Sequence, residues 1–191
     1  MTVGIDEVGR GSWAGPVVAG AVILGPPIIG LRDSKKLSKA QREALSEEIS
    51  NTALAFGIGW VEASELDEIG LTAAVGLAMQ RAVDQVNQSK VEFSEIIVDG
   101  NLNYFPNDAR AKAVVKADDT VPAVSAASII AKVARDSYMA NIAHKKYPEY
   151  AFDRHVGYGT SLHLQMLTLY GPTAIHRQTF RPVKALLGVK P

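Results

Sequence analysis

The sequence predicts an α/β protein in which strands and helices alternate along a chain of 191 residues. Short apolar runs rich in β-branched residues are separated by longer segments with helical spacing of apolar residues, and this alternation indicates a layered architecture. Hydrophobic residues form 47% of the chain, which is enough for one well-buried core. No internal repeat, low-complexity segment or linker divides the sequence, so we predict a single domain over residues 1–191.

The first half of the chain contains three predicted strands and two predicted helical regions. The strands are the apolar run at Val3 and Ile5, the continuous apolar run 17–24, and the run 53–61, which Gly57 and Gly59 interrupt. Ser38 and Gln41 have the spacing of a capping box, which predicts that a helix begins there. A second helical region is predicted from about Ser64 or Thr72 to Val86.

The second half of the chain is predicted to add two strands and several helices. The strands are residues 95–98, which lead into Asp99-Gly100, and residues 113–115. A long helix is predicted to begin at Ser125, and its first half is so apolar that it should be buried. Thr160 is predicted to cap a later helix that Gly171 stops, and a basic tail follows.

Charge is distributed unevenly along this chain. The formal net charge is +0, which argues against a general polyanion binder, but residues 1–100 hold 8 Lys and Arg against 14 Asp and Glu, and residues 101–191 hold 12 against 6. Two basic clusters contain Arg32, Lys35, Lys36, Lys39 and Arg42, and Lys112, Lys116, Lys132 and Arg135. Local patches of this kind contact phosphates, although any single lysine could equally lie on a solvated face.

Several classes of protein find no support in the sequence. There is no cysteine, which excludes disulfides and thiolate metal sites. Neither a basic signal-peptide region nor an apolar run long enough to span a bilayer is present, so we predict a cytoplasmic protein without a membrane anchor. The four histidines lack zinc-site spacing, and there is no P-loop, dinucleotide-binding fingerprint or serine-hydrolase elbow.

Two adjacent carboxylates stand where the first strand meets a glycine-flanked arginine. Asp6 and Glu7 are followed by Gly9-Arg10-Gly11, where the backbone must turn tightly or approach another group closely. Adjacent residues of a regular strand point to opposite faces, so only one of the two acids should face a given site unless the strand breaks. By itself this short motif is more typical of a solvated turn than of a catalytic site.

Three acids share the context of a strand end. Asp6 ends the first strand, Asp99 ends the fourth, and Asp118 lies just past the fifth. Carboxylates that converge from neighbouring strand ends repel one another unless a cation holds them together. Hard oxygen ligands favour Mg²⁺ or Mn²⁺, which commonly act in pairs on phosphoryl groups. Acids at strand ends also form turns, and for Asp99-Gly100 alone the two interpretations are equally good.

Seven short segments carry a more specific signal. They are Asp6-Glu7-Val8-Gly9-Arg10-Gly11, Ala14-Gly15-Pro16-Val17-Val18, Asp33-Ser34-Lys35-Lys36-Leu37-Ser38, Val98-Asp99-Gly100, Lys116-Ala117-Asp118, residues 125–133 and Gly157-Tyr158-Gly159-Thr160. In content and order they closely resemble the type 2 ribonucleases H (ribonuclease HII) over nearly the whole chain. The resemblance implies a ribonuclease H-like fold: a mixed five-stranded sheet flanked by helices, with a small helical C-terminal region at about 148–191.

The resemblance also implies an activity and its cofactor. Members of the family cleave the RNA strand of RNA/DNA hybrids and incise DNA on the 5′ side of a single embedded ribonucleotide, leaving a 3′-hydroxyl and a 5′-phosphate. It assigns catalysis and the binding of two Mg²⁺ or Mn²⁺ ions to Asp6, Glu7, Asp99 and Asp118. The implied partners are therefore RNA/DNA hybrids and DNA that contains ribonucleotides, and a monomer is the default assembly.

Substrate contacts follow from the same matching positions. The resemblance assigns reading of the ribose 2′-hydroxyl to Gly9, Arg10 and Gly11, and stacking on the following deoxyribose to Tyr158. Lys35 and Lys36 are candidate substrate-binding residues within the first basic cluster. Only RNA offers a 2′-hydroxyl, and a backbone flanked by glycines can approach a sugar that a side chain would block.

Two other functions remain as alternatives. A module that binds RNA–DNA junctions without cutting them would require the loss of at least one acid, and all four are present. A metal-dependent phosphotransferase on a related sheet should carry a nucleotide-phosphate loop, and the sequence has none.

Overall fold

A mixed five-stranded sheet forms the centre of the protein. The structure, a computed structural model, describes residues 1–188. The strands are β1 (Thr2–Val8), β2 (Val17–Ile23), β3 (Ala55–Val61), β4 (Glu95–Asp99) and β5 (Ala111–Val114), in the order β3-β2-β1-β4-β5. β2 is antiparallel to β1 and β3, whereas β4 is parallel to β1 and β5. The predicted mixed sheet is confirmed, and its parallel strands bring the C-terminal ends of β1, β4 and β5 to one edge.

Helices cover both faces of this sheet. They are α1 (Lys39–Thr52), α2 (Ala63–Ile69), α3 (Leu71–Gln88), α4 (Ala117–Thr120), α5 (Pro122–Tyr138), α6 (His144–Lys146), α7 (Phe152–His155), α8 (Ser161–Tyr170) and α9 (Arg181–Lys184). Ala21 and Ile23 of β2 pack in the same core as α3, whereas Val22 between them packs with α1 and α5. Because successive strand residues point to opposite faces, α3 lies on one side of the sheet and α1 with α5 on the other.

The glycines that interrupt β3 admit a helix rather than break the strand. A Cβ atom placed on Gly59 would lie 1.9 Å from the carbonyl oxygen of Ala78, and one on Gly57 would lie 2.2 Å from that of Ala82. Both carbonyls belong to α3, so only a strand without side chains at these positions lets the helix pack this closely.

Helix capping follows the sequence closely. Ser38 Oγ accepts a hydrogen bond from the Gln41 amide at 3.3 Å, and Gln41 Oε1 accepts one from the Ser38 amide at 2.9 Å. The predicted capping box is therefore confirmed and α1 begins at the next residue. Thr160 likewise accepts from the amide of His163 at 3.2 Å, and α8 ends before Gly171, as predicted.

Four predicted boundaries are wrong by a few residues or incomplete. The long helix α5 begins at Pro122 rather than Ser125, because proline lacks an amide hydrogen and is well suited to the first turn of a helix. Gly70, at φ +82°, divides the second helical region into α2 and α3. The third strand begins two residues later than predicted and the fifth two residues earlier, since pairing with β2 and β4 sets their ends.

The C-terminal region is helical, as predicted, and packs as a unit with its own core. This core includes Met139, Tyr150, Phe152, Leu167 and Val183, and it also contains Ala14 from the segment between β1 and β2. The C-terminal region therefore contacts the chain just after the Gly-Arg-Gly sequence. That the whole chain forms one domain stays a prediction, and residues 189–191 lie outside the described residues. Between residues 1 and 188, no helix combines the length and the apolar character that crossing a membrane requires.

Candidate active site

Three carboxylates meet at the edge where the parallel strands end. Asp6 lies on β1, Asp99 ends the neighbouring β4, and Asp118 lies on the short helix α4 after β5. Each offers one oxygen, and these oxygens lie within 4.8 Å of one another. The Asp118 amide donates to Asp99 Oδ1 at 3.3 Å, and Ser125 Oγ donates to the Asp118 carbonyl at 2.7 Å, which ties α4 to the cluster. The predicted convergence of the three acids is therefore a feature of the fold.

The cluster is electrostatically unfavourable without a cation. Asp6 is buried, and desolvation raises its pKa well above the usual value, with the charges of Glu7 and Asp99 adding to the effect. Burial also raises the pKa of Asp118, as do Asp99 and Asp33, while Lys35 opposes the shift. Each of these shifts means that the folded protein disfavours the ionised carboxylate, and a bound divalent cation would reverse that preference.

The donor set fits a hard divalent cation. Three carboxylate oxygens, with no histidine among them, are the ligands that suit Mg²⁺ or Mn²⁺. Their partial burial and mutual repulsion are relieved when a cation supplies positive charge. The residues present are therefore chemically suited to the metal site that the sequence predicts.

Glu7 lies beside this cluster but is not one of its converging ligands. Its Oε1 accepts a hydrogen bond from Arg10 Nη1 at 3.0 Å. Burial raises the pKa of Glu7, and the bond and charge of Arg10 lower it in part. β1 continues without a break through Val8, and Asp6 and Glu7 nevertheless both line the same cleft. The assignment of Glu7 to metal binding stays a prediction.

The Gly9-Arg10-Gly11 segment forms one wall of a cleft beside the acids. Gly9 adopts φ +88°, a left-handed conformation that favours glycine, and its carbonyl accepts from the Ser12 amide at 3.3 Å. No heavy atom lies within 4 Å of a Cβ atom built on Gly11, so this position is open toward the cleft. The cleft has a volume of about 300 Å³, and its lining includes Asp6, Glu7, Asp99, Lys35, Tyr158 and all three residues of the segment.

Tyr158 lines the same cleft beside this segment. It is half-buried, and a β-bridge between Ser12 and Tyr158 joins its segment to the chain that follows Gly11. The Lys132 ammonium lies 5.2 Å from the centroid of the Tyr158 ring. The structure thus brings the acids, the Gly-Arg-Gly segment and the predicted stacking residue to a single site.

The two lysines assigned to substrate binding occupy different places. Lys35 Nζ lies 3.7 Å from Asp118 Oδ2 and lines the cleft. Lys36 does not line it, and its Nζ instead lies 2.6 Å from Asp119 Oδ2. Lys35 therefore faces the carboxylate cluster, whereas Lys36 is held in an exposed ion pair outside the cleft.

The second basic cluster does not form the exposed patch that the sequence suggests. Arg135 is fully buried, and Lys112 pairs with Glu95 at 2.6 Å. Only Lys132 of this cluster lines the cleft. The phosphate-contact interpretation is thus wrong for Arg135, because α5 turns that side chain toward the C-terminal region instead of the solvent. Ser128 of α5, which sequence reasoning did not single out, also lines the cleft and shares a 3.0 Å hydrogen bond with Ser34.

Three buried histidines support the Tyr158 segment. His163 Nδ1 lies 2.9 Å from the Tyr158 carbonyl oxygen, and its Nε2 lies 3.1 Å from His176 Nε2. The His155 ring stacks on that of His163 at 4.5 Å between centroids. Burial lowers the pKa of His163 to about 4 and that of His176 to about 3, so both stay neutral at pH 7.

We expect these histidines to make the fold sensitive to acid. Since their pKa values are lower in the folded than in the unfolded chain, the stability that these histidines contribute is full above pH 6.5 and declines as the pH falls toward 4. The histidines should contribute a drop of about 2–4 kcal/mol in the free energy of unfolding between pH 7 and pH 5, while the raised pKa values of Asp6 and Asp118 act in the opposite direction. Urea unfolding at the two pH values measures this drop. His176→Gln should flatten the dependence, whereas His144→Gln, at a half-exposed position, should retain it; equal slopes in both variants would contradict the prediction.

The fold and the site together define a class of protein. A mixed sheet of this order, with acids clustered at the ends of its parallel strands, is that of a metal-dependent nuclease with a ribonuclease H-like fold. The sequence model of a family described as Ribonuclease HII matches residues 3–183. A ribonuclease HII of Marinomonas sp. (strain MWYL1) is 50% identical over 190 residues, which cover 98% of this chain and 93% of that protein. The chain therefore belongs to the ribonuclease HII family, and it is a metal-dependent endoribonuclease.

Further relatives agree in sequence and in structure. A ribonuclease HII of Janthinobacterium sp. (strain Marseille) is 46% identical over 187 residues, covering 97% of this chain and 87% of that protein. The crystal structure of the ribonuclease H2 from Pyrococcus horikoshii OT3 has a TM-score of 0.78 at 27% identity, covering 97% of this chain and 96% of that chain. The family assignment and the ribonuclease H-like fold are thus supported independently.

Proposed function

We propose that this protein hydrolyses the RNA strand of RNA/DNA hybrids and also incises DNA on the 5′ side of single embedded ribonucleotides, leaving a 3′-hydroxyl and a 5′-phosphate. Membership of the ribonuclease HII family supports the first activity. The observation that carries the second is the placement of the Gly9-Arg10-Gly11 segment and Tyr158 in one cleft with three of the acids, which are Asp6, Glu7 and Asp99. Residues that could recognise the ribose therefore lie close to the carboxylates that would act on the adjacent phosphate.

Asp6, Asp99 and Asp118 would hold the divalent ions, with Glu7 as a further ligand. When bound, a pair of Mg²⁺ or Mn²⁺ ions supplies an activated water and stabilises the leaving oxygen. The protein's own contribution is to hold the Asp99 carboxylate with the Asp118 amide and the Asp6 carboxylate with the Glu7 amide, while Ser125 holds the backbone of Asp118. Lys35, 3.7 Å from Asp118, is placed to contact a phosphate beside the cluster.

Recognition of the ribonucleotide would come from other residues that line the same cleft. The open face of Gly11 and the turn at Gly9 let the backbone approach a ribose, whose 2′-hydroxyl is absent from DNA. Tyr158 would stack on the next deoxyribose, and the exposed guanidinium of Arg10 is within reach of the same strand. Lys36 would contact the backbone at greater distance, after release from Asp119.

The test is incision of an end-labelled DNA duplex that contains one ribonucleotide, with Mg²⁺ or Mn²⁺. An all-DNA duplex and the Asp6→Asn variant are the controls, and a long RNA/DNA hybrid is assayed in parallel. A metal-dependent nick 5′ to the ribonucleotide that is absent from both controls is the expected result. Tight binding without a nick would favour a junction-binding module. Cleavage of the long hybrid but not of the single-ribonucleotide duplex would contradict the proposed roles of Arg10 and Tyr158 in substrate recognition.

Metal binding has a separate readout in thermal stability. Mg²⁺ or Mn²⁺ at 100 times its dissociation constant should add about 2.7 kcal/mol and raise the Tm by several degrees, because it neutralises the repelling carboxylates. Differential scanning fluorimetry with and without metal measures the shift. Asp118→Asn should diminish it, while Asp119→Asn, at the adjacent exposed acid, should preserve it. An unchanged melting curve of the wild type at saturating metal would contradict a clustered site.

The cellular setting follows from the proposed substrates. We infer that the protein acts as a monomer in the cytoplasm on hybrids and ribonucleotide-containing DNA. The removal of misincorporated ribonucleotides is the role that such an activity would serve. Analytical ultracentrifugation of the free protein tests the monomeric state, and a concentration-dependent dimer would contradict it.

A further inference from the structure

Two arginines are buried behind the cleft and bind backbone carbonyls. Arg135 of α5 donates from Nε to Pro16 at 2.9 Å, from Nη1 to Val156 at 3.0 Å and from Nη2 to Ala14 at 3.1 Å. Both arginines, Arg135 and Arg177, have no exposed surface, and we call them the buried arginine pair. The pair therefore uses its charge inside the protein rather than on nucleic acid.

Arg177, from the C-terminal region, binds further carbonyls of the same segment. Its Nε donates to the carbonyl of Gly15 at 3.0 Å, and its Nη1 donates to the carbonyl of Arg10 at 3.0 Å. The Arg177 amide also donates to the carbonyl of Trp13 at 2.8 Å, and the Trp13 amide donates to Gly157 at 2.8 Å. The pair and its neighbours thus bind the chain on both sides of Gly11.

Burying two guanidinium groups in this way is costly. Within residues 1–188 neither forms an ion pair with a carboxylate. Burial lowers the pKa of Arg135, and it lowers that of Arg177 to about 9, where the charge of Arg135 adds to the effect. A guanidinium group is not deprotonated in proteins, so the carbonyl bonds must offset the desolvation of two like charges.

The bonds of Arg135 join the two halves of the proposed sugar-reading site. Ala14 and Pro16 follow the Gly-Arg-Gly segment, whereas Val156 precedes Tyr158 by two residues. The guanidinium carbon lies 5.3 Å from the centroid of the Tyr158 ring. A Cβ atom on Gly9 would lie 2.3 Å from Arg135 Nε, so the side chain also packs directly against the turn.

We propose that Arg135 and Arg177 are positioning residues that hold the Gly9–Gly11 segment and the Tyr158 ring at a set separation, and thereby determine the preference for RNA–DNA junctions. The proposal rests on the proposed function, in which the two elements contact successive sugars. A single ribonucleotide in DNA requires both contacts at once. A continuous RNA strand presents a ribose at every position, so it depends less on that separation.

The test compares Arg135→Lys and Arg177→Lys with a matched arginine elsewhere. Arg81 also donates to a backbone carbonyl, that of Trp60 at 2.6 Å, and pairs with Glu65, outside the residues that line the cleft. Melting curves of Arg135→Lys, Arg177→Lys and Arg81→Lys set an assay temperature at which all are folded. Each variant is then assayed for kcat/KM on the single-ribonucleotide duplex and on a long hybrid.

We define the junction preference as kcat/KM on the single-ribonucleotide duplex divided by kcat/KM on the long hybrid. We expect this ratio to distinguish a loss of positioning from a general loss of stability. Misplacement of the two contacts by about 1 Å should lower incision of the single-ribonucleotide duplex by about 10- to 100-fold in either variant of the pair, with a much smaller loss on the hybrid. Arg81→Lys should leave the ratio unchanged. Equal losses on both substrates, or an unchanged ratio, would overturn the proposal.

A double-mutant cycle tests whether the action passes through Tyr158. In a Tyr158→Ala background, Arg135→Lys should cause no further loss of junction preference, since the group that it positions is already gone. If the double variant instead showed the product of the losses of the two single variants, the positioning role would be overturned. If the wild type does not incise the single-ribonucleotide duplex, the proposed function fails and the positioning role fails with it. Normal wild-type incision with an unchanged ratio in the variants rejects the positioning role alone.

Discussion

Asp6→Asn should abolish metal-dependent incision and leave the metal-free protein at least as stable as the wild type. The substitution would keep the size of the side chain but remove the negative charge that converges with Asp99 and Asp118 within 4.8 Å. The loss of a metal-binding carboxylate should reduce kcat by at least about 10³-fold, equivalent to about 4 kcal/mol of transition-state stabilisation. Because burial and neighbouring acids already disfavour the ionised form of Asp6, neutralising it removes a destabilising charge.

Two measurements on the same preparation check this prediction. Single-turnover incision of the ribonucleotide-containing duplex gives the loss of activity, and a melting curve in a metal chelator gives the stability. Asp67→Asn is a suitable control, because Asp67 accepts hydrogen bonds from the backbone amides of Gln178 and Thr179, at 2.7 and 3.0 Å, but does not line the cleft. Asp67→Asn should lose stability and retain activity. An active Asp6→Asn variant would remove this residue from the metal site.

Gly9→Ala should have the second largest effect, and it should act on folding and activity together. Gly9 adopts φ +88°, and an added Cβ atom would lie 2.3 Å from Arg135 Nε and 2.9 Å from the Pro16 carbonyl oxygen. The strain and the clash should lower the free energy of unfolding by about 2–4 kcal/mol and the Tm by about 5–15 °C. Displacement of the turn should also reduce incision by about 10²-fold at a temperature where the variant is folded.

Gly11→Ala is the matched control for the structural part of this effect. Gly11 does not adopt a positive φ, and a Cβ atom added to it would meet no heavy atom within 4 Å. Its melting temperature should therefore stay within about 2 °C of the wild type, as surface substitutions generally do. Comparable losses of stability in the two variants would show that Gly9 is not specially constrained.

Local sequence patterns are sufficient to predict most of the helices and strands. Caps such as Ser38 with Gln41 involve neighbouring residues, and the alternation of apolar runs depends on the period of a single strand or helix, so both are predictable without tertiary contacts. The errors arose where distant pairing or an overlooked local signal determined the boundary. β5 begins at Ala111, which pairs with Ile96 of β4, and Pro122 starts α5 three residues before the apolar stripe suggested.

The carboxylate site was predictable because its residues occupy strand ends. The order of parallel strands then brought Asp6, Asp99 and Asp118 together, in agreement with the sequence-based expectation. The position of Glu7 was left open by the sequence, since it depends on whether β1 breaks after Asp6. In the structure β1 does not break, yet Glu7 lines the cleft with Asp6, where it binds Arg10 and lies outside the three converging oxygens.

The sequence by itself determined the α/β alternation, the acids at the strand ends and the family to which the chain belongs, because motifs and periodicity are local properties. Only the tertiary structure decided which basic residues face the cleft. Lys35 lines it, Lys36 pairs with Asp119, and Arg135 is buried although it belongs to the second basic cluster of the sequence. The Arg135 contact with Pro16 spans 119 positions of the chain, and no local pattern encodes a contact of that range.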